Sequence, residues 1–218
     1  GKDRASAFPK IIGTGYAESK GLRHGYIVNG ADVERSIRSA VLEAESVAGV
    51  RVKGAFLSVG GIGIDEMRGR GETVIARADA EVTGLDVEKA IEASRASVEG
   101  RLLNRRILHT IPLSYAVDGM EVLGRPQGMK GTKLSVETLF VTCLEQHVAD
   151  LVEALENADI VVQDIMASPL AGSIVTLSSA EKKAGCVLAN IGSETVSIVV
   201  FDNGAPISVK VFRIGSLD

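Results

Sequence analysis

The run Ala55-Phe56-Leu57-Ser58-Val59, bounded by Gly54 on one side and Gly60-Gly61 on the other, most limits what this chain can fold into. A short apolar run with no regular polar face, closed by glycines, suits a strand covered on both sides. Such strands belong to mostly parallel sheets packed between helices. The preceding residues supply a helix for one side. Asn29 or Asp32 can cap it, and Val33, Ile37, Ala40, Val41, Ala44 and Val47 follow at spacings that put them on one face. Gly49 stops it. Upstream, Lys10 to Gly15 reads as a short strand ending in glycines. Tryptophan is absent and aromatics are scarce, which leaves the core to Val, Ile, Leu and Ala. The expectation is an α/β fold.

After Gly61 the texture changes. Gly61 to Gly71 is rich in glycine and charge, and Glu72 to Ala76 reads as a modest strand. Asp86 can cap a short helix bearing Val87, Ala90, Ile91 and Val98. A long strand comes next in which Ile107, His109, Ile111, Leu113, Tyr115 and Val117 alternate with a mixed face, ended by Asp118-Gly119. A Gly- and Pro-rich loop, Gly124 to Thr132, leads to a second long strand, Lys133 to Cys143. Strand, helix, strand, strand makes a small α+β unit inserted into a sheet-and-helix core.

The core pattern then resumes. Val148, Leu151, Val152 and Leu155 mark a helix, Ile160-Val161-Val162 a buried strand, and Ser168-Pro169 a helix with proline in its first turn, where the missing N–H costs nothing. Three strands close the chain: Cys186 to Ile191, Val196 to Phe201, and Ile207 to Ile214 after the Asp202-Asn203-Gly204 turn. Gly1 is not an initiator methionine, and the last strand breaks off at a glycine turn. Both ends read as cut from something longer.

Several chemistries find no support. The net charge of -4 argues against a general nucleic-acid surface. Cys143 and Cys186 lie in separate apolar runs and read as buried free thiols. His24, His109 and His147 have no metal-ligand spacing, there is no nucleophile elbow or Walker-type loop, and no apolar stretch approaches bilayer length. The expectation is a soluble, intracellular chain with no assignable catalytic residue.

One segment carries a mechanism. Asn190-Ile191-Gly192-Ser193-Glu194-Thr195 joins two strands of strong β character. A tight glycine-containing turn exposes successive backbone N–H groups, which with a Ser or Thr hydroxyl can cradle phosphate oxygens. A plain hairpin turn would read the same way.

Strand, Gly-containing loop ending in Thr, strand, turn, strand resembles the second phosphate loop of the actin, Hsp70 and sugar-kinase superfamily. Ser168-Pro169-Leu170-Ala171 lies upstream, where that superfamily usually reads Glu-Pro-x-Ala. Within it the chain resembles the bacterial cell-division FtsA family along nearly its whole length. Ile11-Ile12-Gly13-Thr14-Gly15, Ser19, Gly21-Leu22, Gly25 and Ile27-Val28-Asn29 look like the FtsA lead-in to its first core helix, and Leu57 to Gly61 like the strand before its insertion. Most specific are Arg106, Leu108-His109, Ile111-Pro112, Tyr115, Asp118-Gly119, Pro126, Gly128-Met129, Gly131 and Leu134, which resemble the inserted, SHS2-type subdomain. The type IV pilus protein PilM has a related insertion.

The resemblance implies an actin-like (ribonuclease H-like) first lobe over 1–61 and 144–184, an inserted α+β subdomain over 62–143, and the first strands of a second lobe over 185–218. It implies an ATP- and magnesium-binding, polymerising adaptor, peripheral on the inner face of the cytoplasmic membrane at the division site. That adaptor links FtsZ filaments to the membrane and recruits later division proteins. Asn190, Gly192, Ser193, Glu194, Thr195, Gly215 and Ser216 would meet the nucleotide, with Asn190 facing the metal through water. Arg106, His109, Tyr115 and Asp118 would serve the partner surface. The alternatives are a PilM-like adaptor and a sugar-kinase- or Hsp70-like phosphotransferase. Three departures weigh against catalysis. Asn190 stands for the superfamily's aspartate, Glu194 for a glycine, and Ser168 for the glutamate that positions water in several relatives. Phosphoryl transfer rests on positioning and charge stabilisation, so these changes imply weak or absent hydrolysis.

Overall fold

The computed structural model describes residues 10–216, which form two compact units. In chain order the elements are β1 (Leu22–Arg23), β2 (Tyr26–Ile27), α1 (Gly30–Ala48), β3 (Gly54–Val59), β4 (Asp65–Val74), α2 (Gly84–Ala96) and a 3₁₀ turn at Glu99–Arg101. Next come β5 (Arg105–Val117), β6 (Met120–Val122), β7 (Lys133–Leu144), α3 (Glu145–Asn157), β8 (Val161–Ala167), α4 (Ser168–Thr176) and α5 (Ser179–Ala184). The last three strands are β9 (Cys186–Ile191), β10 (Val196–Asp202) and β11 (Ala205–Phe212).

The first unit comprises 10–23, Ile27–Leu57 and Ala149–Asp164. Asn29 is the cap of α1, its side chain accepting from the Asp32 amide at 3.2 Å, and Gly49 ends the helix in the left-handed conformation. Arg38 of α1 reaches the Asp159 carboxylate at 3.0 Å and the Asn157 carbonyl. Residues 10–20 form no strand, contrary to the reading of Lys10 to Gly15. They lie along α1 instead, so close that a Cβ on Gly15 would sit 1.8 Å from the Ala40 carbonyl oxygen. The glycines there permit packing on a helix and not strand pairing. β3 pairs with β8 in a two-stranded sheet. Phe56 is 77% exposed and Val161 64% exposed, so the apolar run expected to be covered on both faces is covered on one. A two-stranded ribbon has too few neighbours to bury both.

The second unit comprises His24–Tyr26, Ser58–Val148 and 165–216. Its centre is an antiparallel sheet ordered β4-β7-β5-β6, whose strands pair only among themselves. The strand read as Glu72 to Ala76 starts earlier and ends at Val74, and the glycine-rich, charged stretch Gly61 to Gly71 supplies most of β4. The reason is α2. Residues on one face of β4 alternate Met67, Gly69, Gly71, Thr73, and α2 lies directly on the two glycines. A Cβ on Gly71 would fall 2.1 Å from both the Ala90 carbonyl oxygen and the Ser94 amide nitrogen, and one on Gly69 2.5 Å from the Ser94 carbonyl oxygen. The opposite face carries Glu66, Arg68, Arg70 and Glu72. Thr83, not Asp86, caps α2. Its hydroxyl faces the Asp86 amide at 3.4 Å while the Asp86 carboxylate accepts from the Thr83 amide at 2.9 Å, a reciprocal capping box. Beneath α2, Ile75, Val82, Val87, Ala90, Val117, Val122, Leu134 and Val136 form one core.

β5 does not keep the simple alternation read from its sequence. Its register against β7 shifts between Ile107 and His109 and again between Pro112 and Ser114. Each bulge turns the following side chains to the other face. Ile107, Tyr115 and Val117 therefore lie with Thr142, Val136 and Leu134 towards α2. His109 and Ile111 lie opposite Val141 and Leu139 on the second face. β9, β10 and β11 make a separate antiparallel sheet with β10 central, and β11 packs across that second face.

The glycine floor gives a direct test. Gly71→Ala forces backbone apart and should destabilise the chain by about 2–3 kcal/mol. Gly84→Ala, where nothing lies within 4 Å, should be neutral or stabilising by up to about 1 kcal/mol. Urea denaturation of both variants measures the contrast.

Candidate functional site

Two segments far apart in sequence meet at the end of the β9–β10–β11 sheet. Val196 pairs with Ile191 on one side and with Phe212 on the other, so the Gly192–Thr195 hairpin and the residues after β11 emerge together. The Gly192 amide donates to the Thr195 carbonyl at 2.9 Å and closes the hairpin, and the Ser216 amide donates to the Gly192 carbonyl at 2.9 Å. Gly215 lies flat on the hairpin; a Cβ there would fall 2.0 Å from the Ser193 carbonyl oxygen and 2.4 Å from the Glu194 nitrogen. Asn190, Gly192, Ser193, Glu194, Thr195, Gly215 and Ser216 are thus brought together, with Asn190 exposed at the end of β9 opposite Ser197.

Glu194 does not project into the hairpin. Its carboxylate accepts from the His24 amide at 2.6 Å, and the His24 ring Nδ1 lies 3.3 Å from the Glu194 carbonyl oxygen. His24 holds a left-handed backbone (φ 49°), and its own carbonyl accepts from Ile62 at 3.2 Å. Gly25 in turn packs on Gly61, where a Cβ would lie 2.5 Å from the Gly61 Cα. Sequence reasoning missed His24; its only signal was a place between two glycines. The hairpin suits a phosphate in part. Gly192 is already hydrogen-bonded at both its amide and its carbonyl and Gly215 lies on the Ser193–Glu194 peptide, but the one negative side chain is turned to a backbone donor. A magnesium site fits poorly, because Asn190 offers a neutral amide where a carboxylate would be needed.

The four residues assigned to a partner surface each have structural contacts within the second unit. The Arg106 guanidinium meets both carboxylate oxygens of Glu145 at 3.1 and 2.6 Å. His109 Nε2 accepts from the Ala167 amide at 2.9 Å. Tyr115 packs against the core under α2, and burial pushes its phenol up. The Asp118 carboxylate accepts from the Thr132 hydroxyl at 2.7 Å, the Thr132 amide at 3.1 Å and the Lys133 amide at 2.9 Å, which shapes the loop before β7. Arg106 and Glu145 also line an open cleft of about 910 Å³ with Arg95, Glu99 and Leu103, the last 79% exposed. Elsewhere, Cys143 is buried and its thiol pushed up to about 11 by that burial, which makes it inert. Among the described residues no cluster of three or more His, Cys, Asp or Glu side chains could hold a metal, and no helix is long and apolar enough to cross a membrane.

Comparison with known proteins places these features. Residues 65–142 match the family model of the SHS2 domain inserted in FtsA. The chain is 31% identical over 196 residues to the cell division protein FtsA of Pseudomonas aeruginosa, covering 90% of this chain and 46% of that protein. To FtsA of Bacillus subtilis it is 33% identical over 206 residues, covering 94% and 46%. The chain thus spans about half the length of the curated relatives it matches. Among solved structures it shares its mixed α/β fold with a chain of a PilM–PilN type IV pilus biogenesis complex, at a TM-score of 0.61 and 17% identity, over 92% of this chain and 53% of that one.

Asp118 yields a test in pH. Hydrogen bonds from Thr132, then from Lys133, hold its carboxyl below the ordinary 3.8. The folded value lies below the unfolded one, so the stabilisation is complete above 3.8 and is lost as pH falls through the lower folded value. Asp118→Asn removes this linkage. Its stability should vary less steeply with pH in that acid range than the parent's, as read by thermal unfolding along a pH series.

Proposed function

This chain belongs to the FtsA family of cell division proteins, and from that membership we propose that it is part of an actin-like, nucleotide-binding division adaptor. The observation that carries the reading is the convergence of Gly192–Thr195 with Gly215 and Ser216 into one backbone-lined hairpin, beside an inserted SHS2 domain with its own sheet and core. In this reading 10–61 and 144–184 belong to the first lobe, 62–143 is the inserted subdomain, and 185–216 begins the second lobe. Backbone amides of Ser193 to Thr195 and the Thr195 hydroxyl would hold a phosphate of ATP, and Gly215 lets the chain after β11 close over the turn. ATP would supply the polyphosphate for these groups; with a neutral amide at Asn190 and a hydroxyl at Ser168 in place of carboxylates, metal and water would be poorly fixed and hydrolysis would be slow.

The protein's work is then assembly. It forms oligomers with its own kind, ties FtsZ filaments to the inner face of the cytoplasmic membrane, and engages later division proteins through the SHS2 domain. Within that domain, of the four residues assigned to partners, Arg106 and Asp118 are exposed, Arg106 lying beside Glu145 at the mouth of the cleft. A phosphotransferase would need the charges that Asn190 and Ser168 lack.

The experiment uses protein of the relatives' full length. ATP binding followed by calorimetry should weaken about tenfold in Thr195→Ala, the loss of one hydroxyl-to-phosphate bond of about 1.4 kcal/mol. Phosphate release should stay far below the roughly 1–100 s⁻¹ of kinases and should rise in Asn190→Asp. Turnover in that kinase range by the unaltered protein, abolished in Thr195→Ala, overturns the adaptor reading.

A further inference from the structure

β11 is an edge strand, paired on one side with β10. Its other edge should present unpaired backbone groups, yet two of these are taken by side chains of β4. The Glu66 carboxylate accepts from the Val209 amide at 2.6 Å and from the Ser208 hydroxyl at 3.0 Å. Two residues along β4, Arg68 donates to the Ile207 carbonyl at 2.8 Å. Val209 turns its amide away from β10 to Glu66, and Ile207, the extra residue of a bulge opposite Val200 and Phe201, leaves its carbonyl to Arg68. One side chain accepts and the other donates, in the order a partner strand would offer.

The grip is held firmly at both ends. Glu66 is only 16% exposed, which strengthens a bond between a carboxylate and an amide. Lys210 lies between Asp65 at 3.2 Å and Glu66 at 3.5 Å. Burial works against its charge, but hydrogen bonds to these carboxylates outweigh it and raise its pKa. Arg68 is in turn fixed by Glu137 of β7 at 3.2 Å. Sliding β11 by one residue would turn the gripped groups towards β10, so Glu66 and Arg68 admit only one register.

β11 leads directly to the hairpin. From Val209 the strand runs about 10 Å, at roughly 3.3 Å per residue, to its end at Phe212, and the residues just after it, Gly215 and Ser216, lie on Ser193, Glu194 and Gly192. We propose that Glu66 is a positioning residue that couples the SHS2 domain to the Gly192–Thr195 hairpin through the register of β11, so that an event at either end changes the other. Where that hairpin binds nucleotide, which rests on the function proposed for this chain, linkage makes the effect reciprocal. A partner seated on the SHS2 domain alters nucleotide affinity by the factor by which nucleotide alters the partner's. The mechanical coupling itself does not depend on the nucleotide reading.

Amide hydrogen exchange of the 218-residue chain, followed by mass spectrometry without nucleotide, tests the coupling alone. Glu66→Ala should speed exchange at least tenfold in the peptide containing Val209 and also in those containing Gly192–Thr195 and Ser216, while β5 and β7 change less than twofold. Glu72→Ala, on the same face of β4 but paired with Lys133, should leave all of these unchanged. If Glu66→Ala unfolds the chain, Ser208→Ala, which leaves the Val209 bond, should give the same pattern at about two- to fivefold. Faster exchange confined to the β11 peptide, or spread evenly through β5 and β7, overturns the proposal.

Discussion

The contact between the Glu66 carboxylate and the outward amide of Val209 holds the second unit in its arrangement. A sheet edge left open invites pairing with any other strand. Here two of its groups are taken by side chains of a different sheet, which ties β4 to the strand that leads on to Gly215 and Ser216. The contact is possible only because β4 presents Glu66 and Arg68 on one face while its other face is nearly bare. Gly69 and Gly71 let α2 lie on the strand backbone, and the core beneath α2 then anchors β4 against β7. One strand thus serves as a floor for a helix and as a clamp for a distant strand.

The loop departs at two residues, Asn190 and Glu194, from the phosphate-loop pattern it resembles, and their charges move in opposite directions. Asn190 removes a negative group where a metal would be held. Glu194 adds one, but the His24 amide takes it up. The result is a turn whose side chains do little to organise a cation.

Much of this was legible in the sequence. α1, α3, α4 and the strands β3, β7, β9, β10 and β11 follow from apolar spacing, glycine stops and the proline at position 169, because each depends on local pattern. The turn from Asn190 to Thr195 could be named from the sequence because a turn between two strong strands needs little tertiary information, whereas Gly215 and Ser216 came only from the family resemblance. What escaped was tertiary. Arg68-Gly69-Arg70-Gly71-Glu72 alternates charge with glycine, and that period of two is a strand signal once glycine is allowed as a buried residue beneath a helix backbone. The bulges in β5 left no mark on an apparently regular alternation, so His109 and Tyr115 were placed on one face when they lie on two. The Glu194–His24 and Glu66–Val209 bonds span 170 and 143 residues and put charged side chains on backbone amides, a pairing no side-chain pattern advertises.

A double-mutant cycle between Glu66 and Ser208, read by urea denaturation of the chain, tests most directly whether β4 grips β11 in solution. With Glu66→Ala, Ser208→Ala and the double variant, the account predicts a coupling energy of at least about 0.5 kcal/mol. Strict additivity, within about 0.3 kcal/mol, would mean that the two residues do not meet and would contradict it.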